Sequence, residues 1–151
     1  MRSDLTVLHT CQTLTGAALI KSDIAGKPNR LYFPAPIDTP SIAKRFAENW
    51  QPDLALFAEG EIWPNVLHEV RKIGCKTALI NARMTAKSLA GWARWPNTAT
   101  SVFNEFDLIA ASDGQTAEAL QIYAPQAFAL PANIKTNLPP PTFDADERDA
   151  L

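Results

Sequence analysis

Three side chains stand out by type and spacing: Glu59, Glu61 and Arg83. Glu59 and Glu61 lie one residue apart, directly after the apolar run Leu54 to Ala58. On an extended backbone, alternate residues share a face, and like charges in one pocket raise one pKa. Such a pair suits a general base or a clamp on sugar hydroxyls. The same two residues read equally as a helix-capping carboxylate beside a solvated one. Arg83 closes Asn81-Ala82-Arg83, again at the end of an apolar run, where a guanidinium can grip phosphate or carboxylate bidentately. Between Arg71 and Arg94 there are six basic residues (Arg71, Lys72, Lys76, Arg83, Lys87, Arg94) and no Asp or Glu, a basic face in a chain of formal net charge -2. Arg71, Lys72 and Lys76 read as helix-terminal, solvated charges. Trp63, Trp92 and Trp95 either stack on a sugar, rest at a membrane interface or pack in the core.

The elements that must hold these groups follow from periodicity. Leu54 to Ala58 has no alternation, which predicts a strand covered on both faces, as in a parallel sheet. Pro64 then suits the first position of a helix with Val66, Leu67 and Val70 as its buried stripe and Gly74 past its end. Glu59 and Glu61 would thus fall in the crevice beyond the carboxyl end of a strand, beside a helix start whose dipole favours their ionised form. Upstream, Leu5 to His9 predicts a strand, and the Thr13-Leu14-Thr15-Gly16 turn leads into a helix with Ala17, Ala18 and Leu19. That turn reads as a plain N-cap or as an anion-binding one. Leu31 to Phe33 predicts a second strand. Thr39 and Pro40 open a helix whose apolar face is Ile42, Phe46 and Trp50. Downstream come a strand over Lys76 to Ile80, an irregular or helical stretch with Leu89 and Trp92, and a short helix over Thr98 to Phe106. A strand over Leu108 to Ala111, a helix with Ala117, Leu120 and Ile122, and a strand over Ala127 to Leu130 complete the pattern. Strands and helices alternating at this spacing give an α/β fold with a mostly parallel sheet flanked by helices.

At 151 residues the chain has one domain's worth of length. Its net charge argues against a nucleic-acid binder, and Cys11 and Cys75 are too few for a disulfide framework. No run approaches the roughly 20 apolar residues a bilayer span needs. His9 and His68 have no companion at metal-ligand spacing, so no metal or cofactor is expected.

The segments Thr13-Leu14-Thr15-Gly16, Asp38-Thr39-Pro40, Arg45-Phe46, Trp50-Gln51-Pro52-Asp53-Leu54, Glu59-Gly60-Glu61-Ile62-Trp63-Pro64-Asn65, Asn81-Ala82-Arg83-Met84, Ser112 and Gln115-Thr116 together resemble the amino-terminal domain of 3-deoxy-D-manno-octulosonic acid (Kdo) transferases. Asn133-Ile134-Lys135 is similar to that family's Gly-Asn-Leu-Lys segment. The resemblance implies the Rossmann-like amino-terminal half of a two-domain GT-B glycosyltransferase, which moves Kdo from CMP-Kdo to a lipid A precursor in lipopolysaccharide biosynthesis. It implies an enzyme at the cytoplasmic face of the bacterial inner membrane, meeting the membrane surface through segments outside this chain. Residues 1–138 would form a partial acceptor-side α/β domain and residues 139–151 a linker or helix start. Glu59, Glu61 and Arg83 carry over as substrate-binding residues. The family's general base, a glutamate after a Gly-rich loop, finds no counterpart here and is expected upstream. This chain alone would then be a soluble or peripheral, inactive fragment. The alternative is a non-catalytic α/β domain binding a phosphorylated sugar or a partner protein.

Overall fold

The computed structural model describes residues 4–125 and 127–131, and the linker over 139–151 and Asn133-Ile134-Lys135 lie outside them. The elements in order are β1 (Val7–Cys11), α1 (Leu14–Ile24), β2 (Arg30–Pro34), α2 (Pro40–Trp50), β3 (Leu54–Ala58) and α3 (Pro64–Lys72). They continue as β4 (Lys76–Ala82), α4 (Ala86–Ala93), α5 (Pro96–Phe103), β5 (Leu108–Ala111), α6 (Gly114–Tyr123) and β6 (Phe128–Pro131). Among the described residues every strand pair is parallel, in a two-stranded sheet β1-β2 and a four-stranded sheet β3-β4-β5-β6. The fold is α/β with parallel sheets flanked by helices, consistent with a Rossmann-like domain.

β4, not β3, is the strand covered on both faces: Thr77, Ala78, Leu79, Asn81 and Ala82 are all buried. β3 is the sheet's edge, and only Phe57 is buried there, while Leu54 and Leu56 are 56% and 58% exposed. Its apolar run therefore reports hydrophobicity without two-sided cover, a distinction composition alone cannot make. β1 begins at Val7, two residues past the expected start, because the parallel register opens at Val7↔Arg30 and the Asn29 side chain takes the Leu5 carbonyl at 2.8 Å. α5 starts early, at Pro96, whose fixed φ suits the first helical position.

The core is Leu67 and Val70 of α3, Leu79 of β4, Phe103 of α5, Ile109 of β5 and Leu120 of α6. On α2 the deepest positions belong to Ala43 and Ala47, with Ile42, Phe46 and Trp50 half-buried beside them. In α1 only Ala17 is buried, and Ala18 and Leu19 face outward. Ile122 is also exposed; the inner face of α6 is Thr116, Leu120 and Ala124, with Tyr123 stacked on Phe103 at 5.9 Å.

At the amino ends of β4 and β5 Arg71 is drawn into an ion pair, while Lys72 and Lys76 stay exposed as expected. Arg71 donates to Asp107 at 2.7 Å, Lys76 lies 3.7 Å from the same carboxylate, and the Thr77 N–H donates to it at 2.9 Å. Partial desolvation pushes the Asp107 carboxyl up, but the Thr77 N–H, Arg71 and Lys76 outweigh it and hold the carboxyl below its ordinary range. A carboxyl lowered in the folded state stabilises fully above the unfolded pKa of about 3.9 and loses that contribution as pH falls through the folded value. Asp107→Asn is therefore expected to lower stability at neutral pH and to flatten its decline in acid, checked by urea denaturation from pH 7 down to about 2.5. Asp38 is a second anchor, accepting from the Asn65 and Val66 N–H groups at 3.3 and 2.9 Å and so capping α3 from a distant loop. Asp38→Ala should cost about 1 kcal/mol in the same measurement.

Candidate functional site

Glu59, Asn81, Arg83 and Asp113 all follow or end the parallel strands β3, β4 and β5, so their positions share one rim of the sheet. The ladder runs one step past β3, the Glu59 N–H donating to the Ile80 carbonyl at 2.9 Å. There the backbone turns: Glu59 has φ 57 and the Glu61 N–H donates back to the Ala58 carbonyl at 3.0 Å. A left-handed non-glycine costs roughly 1–2 kcal/mol. The extended geometry that would set both carboxylates on one face is thus absent. Instead they engage opposite neighbours. Glu59 accepts from the Asn81 amide at 3.4 Å, and Glu61 accepts from the Gln12 amide, just past β1, at 3.0 Å.

Neither glutamate caps α3, whose N-cap residue is Trp63 and whose free N–H groups go to Asp38. The carboxylates are left exposed on the rim. Arg83 reaches the same place by its backbone: a side-chain carbon on Gly60 would stand 3.7 Å from the Arg83 carbonyl oxygen. Arg83 is exposed and forms no salt bridge among the described residues. Its charge is felt at Asp113, the N-cap of α6. The Thr116 N–H at 2.7 Å, then the Thr116 and Ser112 hydroxyls at 3.1 Å each and the Arg83 charge, outweigh desolvation and hold the Asp113 carboxyl below its ordinary range. Thr116 also accepts the Met84 N–H at 3.3 Å, which ties the Arg83 loop to α6.

The rim thus carries two carboxylates with the Arg83 backbone passing beside Gly60, and Lys87 and Arg94 are exposed on and just after α4. It offers acceptors for hydroxyl donors and a cation for an anionic group. Trp63 and Trp92 pack against the core, whereas Trp95 is 69% exposed. Sequence reasoning passed over Gln12, Asn81, Asp113 and Thr116 as site-forming residues. Asn81 carried a usable signal, since Asn tolerates the left-handed backbone that a strand end often needs; Gln12 carried none. Among the described residues no group of three His, Cys, Asp or Glu could hold a metal ion, and no helix is long and apolar enough to cross a membrane.

Residues 1–138 match the family described as 3-deoxy-D-manno-octulosonic-acid transferase (kdotransferase). Similar proteins include a probable mitochondrial 3-deoxy-D-manno-octulosonic acid transferase of Arabidopsis thaliana, 34% identical over 93 residues, covering 62% of this chain and 20% of the relative. The 3-deoxy-D-manno-octulosonic acid transferase of Haemophilus influenzae is 27% identical over 136 residues, covering 89% of this chain and 31% of the relative. That of Rickettsia prowazekii is 46% identical over 59 residues, covering 39% of this chain and 13% of the relative. The chain therefore spans less than a third of the length of these relatives.

Thr116→Val keeps the volume of a buried side chain but leaves the Met84 N–H unpaired. It should cost about 1–3 kcal/mol in denaturant unfolding and speed amide exchange at Arg83 and Met84.

Proposed function

This chain belongs to the 3-deoxy-D-manno-octulosonic-acid transferase (kdotransferase) family, and from that premise we propose that it supplies the acceptor-binding side of a glycosyltransferase moving Kdo from CMP-Kdo to a lipid A precursor. What supports the reading is that Glu59, Glu61 and Arg83 all follow the carboxyl ends of neighbouring parallel strands within the matched stretch. A phosphorylated glucosamine disaccharide offers the complementary set, hydroxyl donors for the carboxylates and a phosphate for the guanidinium. Arg83 is suited to the phosphate because it is exposed and has no salt-bridge partner among the described residues. Lys87 and Arg94 would add a screened, longer-range attraction.

In the reaction an acceptor hydroxyl gives its proton to a general base and its oxygen attacks the anomeric carbon of Kdo, as the bond to CMP breaks. The rim residues hold and orient the acceptor for that attack, a positioning contribution. They are assigned neither the base nor the nucleotide site. In a two-domain GT-B arrangement the second α/β domain would hold CMP-Kdo facing this rim. The setting fitting such a substrate is lipopolysaccharide biosynthesis at the cytoplasmic face of the bacterial inner membrane.

Titration with the bis-phosphorylated glucosamine disaccharide, followed by calorimetry, tests the reading. Arg83→Ala should weaken binding about tenfold or more, the effect of removing a charge-assisted pair, and the difference should shrink as salt rises. Equal affinity for both chains removes Arg83 from the site.

A further inference from the structure

Asn81 is the least economical residue on the rim. It is 5% exposed, its φ is 51, and its Oδ1 is buried with no partner among the described residues. It also stands at an irregularity in the ladder: Leu79 pairs with Ile109 and Ala82 with Ala111, so β4 carries one residue more than β5 over this interval. Such a bulge re-aims a side chain, here at the end of the strand where the site lies. Glycine would satisfy the left-handed backbone without burying an unpaired carbonyl oxygen. The side chain must be explained by what its other end does.

That end, Nδ2, donates to Glu59 Oε1 at 3.4 Å. The reversed amide would set Oδ1 against the carboxylate oxygen, two acceptors face to face, so the negative charge on Glu59 dictates which way the amide points. Glu59 is itself left-handed, in the turn directly across the ladder. Two strained residues on neighbouring strands thus meet through their side chains, the pattern in which local strain marks a site.

We infer that Asn81 is a positioning residue: through its amide it aims the Glu59 carboxylate along the rim as a fixed acceptor for a hydroxyl of the sugar substrate. This rests on the acceptor-site reading above for the identity of the substrate, but the aiming is a property of the ligand-free chain. The fixed carboxylate selects a polyol donor at a set distance from the anionic group held by Arg83. Asn81 acts through Glu59 and needs no contact with the substrate.

The test uses the whole chain and two variants. Asn81→Gly keeps the left-handed backbone and removes the amide; Asn81→Asp keeps the backbone and the volume and sets a second carboxylate against the first. NMR of the ligand-free chain reads the Glu59 γ-methylene protons, whose shift difference is expected to change in both variants at neutral pH, with thermal unfolding of Asn81→Gly shifted by no more than a few degrees. Unchanged γ-methylene signals in Asn81→Gly would overturn the inference whatever the ligand. The bis-phosphorylated disaccharide then supplies the second arm: Asn81→Gly and Glu59→Gln should each weaken binding about tenfold, and the double variant no more than Glu59→Gln alone. Fully additive losses would overturn the coupling. Altered Glu59 signals in the variants together with no disaccharide binding by the unaltered chain would instead sink the acceptor reading and leave the aiming in place.

Discussion

Because β3, β4 and β5 run parallel and are paired along their lengths, their last residues must leave the sheet at one rim. The ladder even extends a step past each outer strand, from the Glu59 N–H to Ile80 and from the Ser112 N–H to Ala82. Residues with no common local signal are thereby forced into one neighbourhood. The register cannot slip to escape this. Ahead of the bulge, alternate residues of β4 face opposite sides, and Thr77, Ala78 and Leu79 are all buried, so a one-residue shift would exchange buried sets. The hydrogen-bonded ladder, held by a strand buried on both sides, is what brings scattered polar residues to one rim.

The element order was legible because Gly, Pro and the apolar runs punctuate the chain at βα spacing. Pro40, Pro64 and Pro96 each sit in the first turn of a helix, and Gly74 ends one in the left-handed region. What escaped were contacts made across sequence distance. Whether Leu54 and Leu56 are covered depends on which elements lie beside β3, and no property of the run itself encodes that. Glu59 and Glu61 were identifiable as strand-end carboxylates, but their directions depended on a φ of 57 at Glu59, a conformation no rule assigns to glutamate. Asp38 illustrates the same limit: the cap of α3 comes from 27 residues away.

The basic stretch shows how burial sorts charges that look alike in sequence. Arg71 and Lys76 meet Asp107 at the amino ends of the strands, with Arg71 also 3.8 Å from Glu105. Those acids lie more than thirty positions downstream of Arg71, so a local charge count could not see them. Arg83, Lys87 and Arg94, all exposed and following β4 in the chain, form no salt bridge among the described residues. Of these three, Arg83 comes nearest the glutamates, its backbone passing beside Gly60. A surface with both signs close together suits a ligand that carries anionic groups among hydroxyls better than one that is uniformly anionic.

The placement of Gln12 adds the last constraint. Chain order would set β2 beside β3, yet the residues just beyond β1 and β3 touch through Gln12 and Glu61. The loops that follow β1 and β3 therefore meet, and this contact joins the two-stranded sheet to the rim of the four-stranded one. Glu61 reaches toward the loop after β1 and Glu59 toward β4, so the turn that separates the two carboxylates also spreads them along the rim. A rim built this way can contact a ligand along its length, which a pair of carboxylates crowded into one pocket could not do.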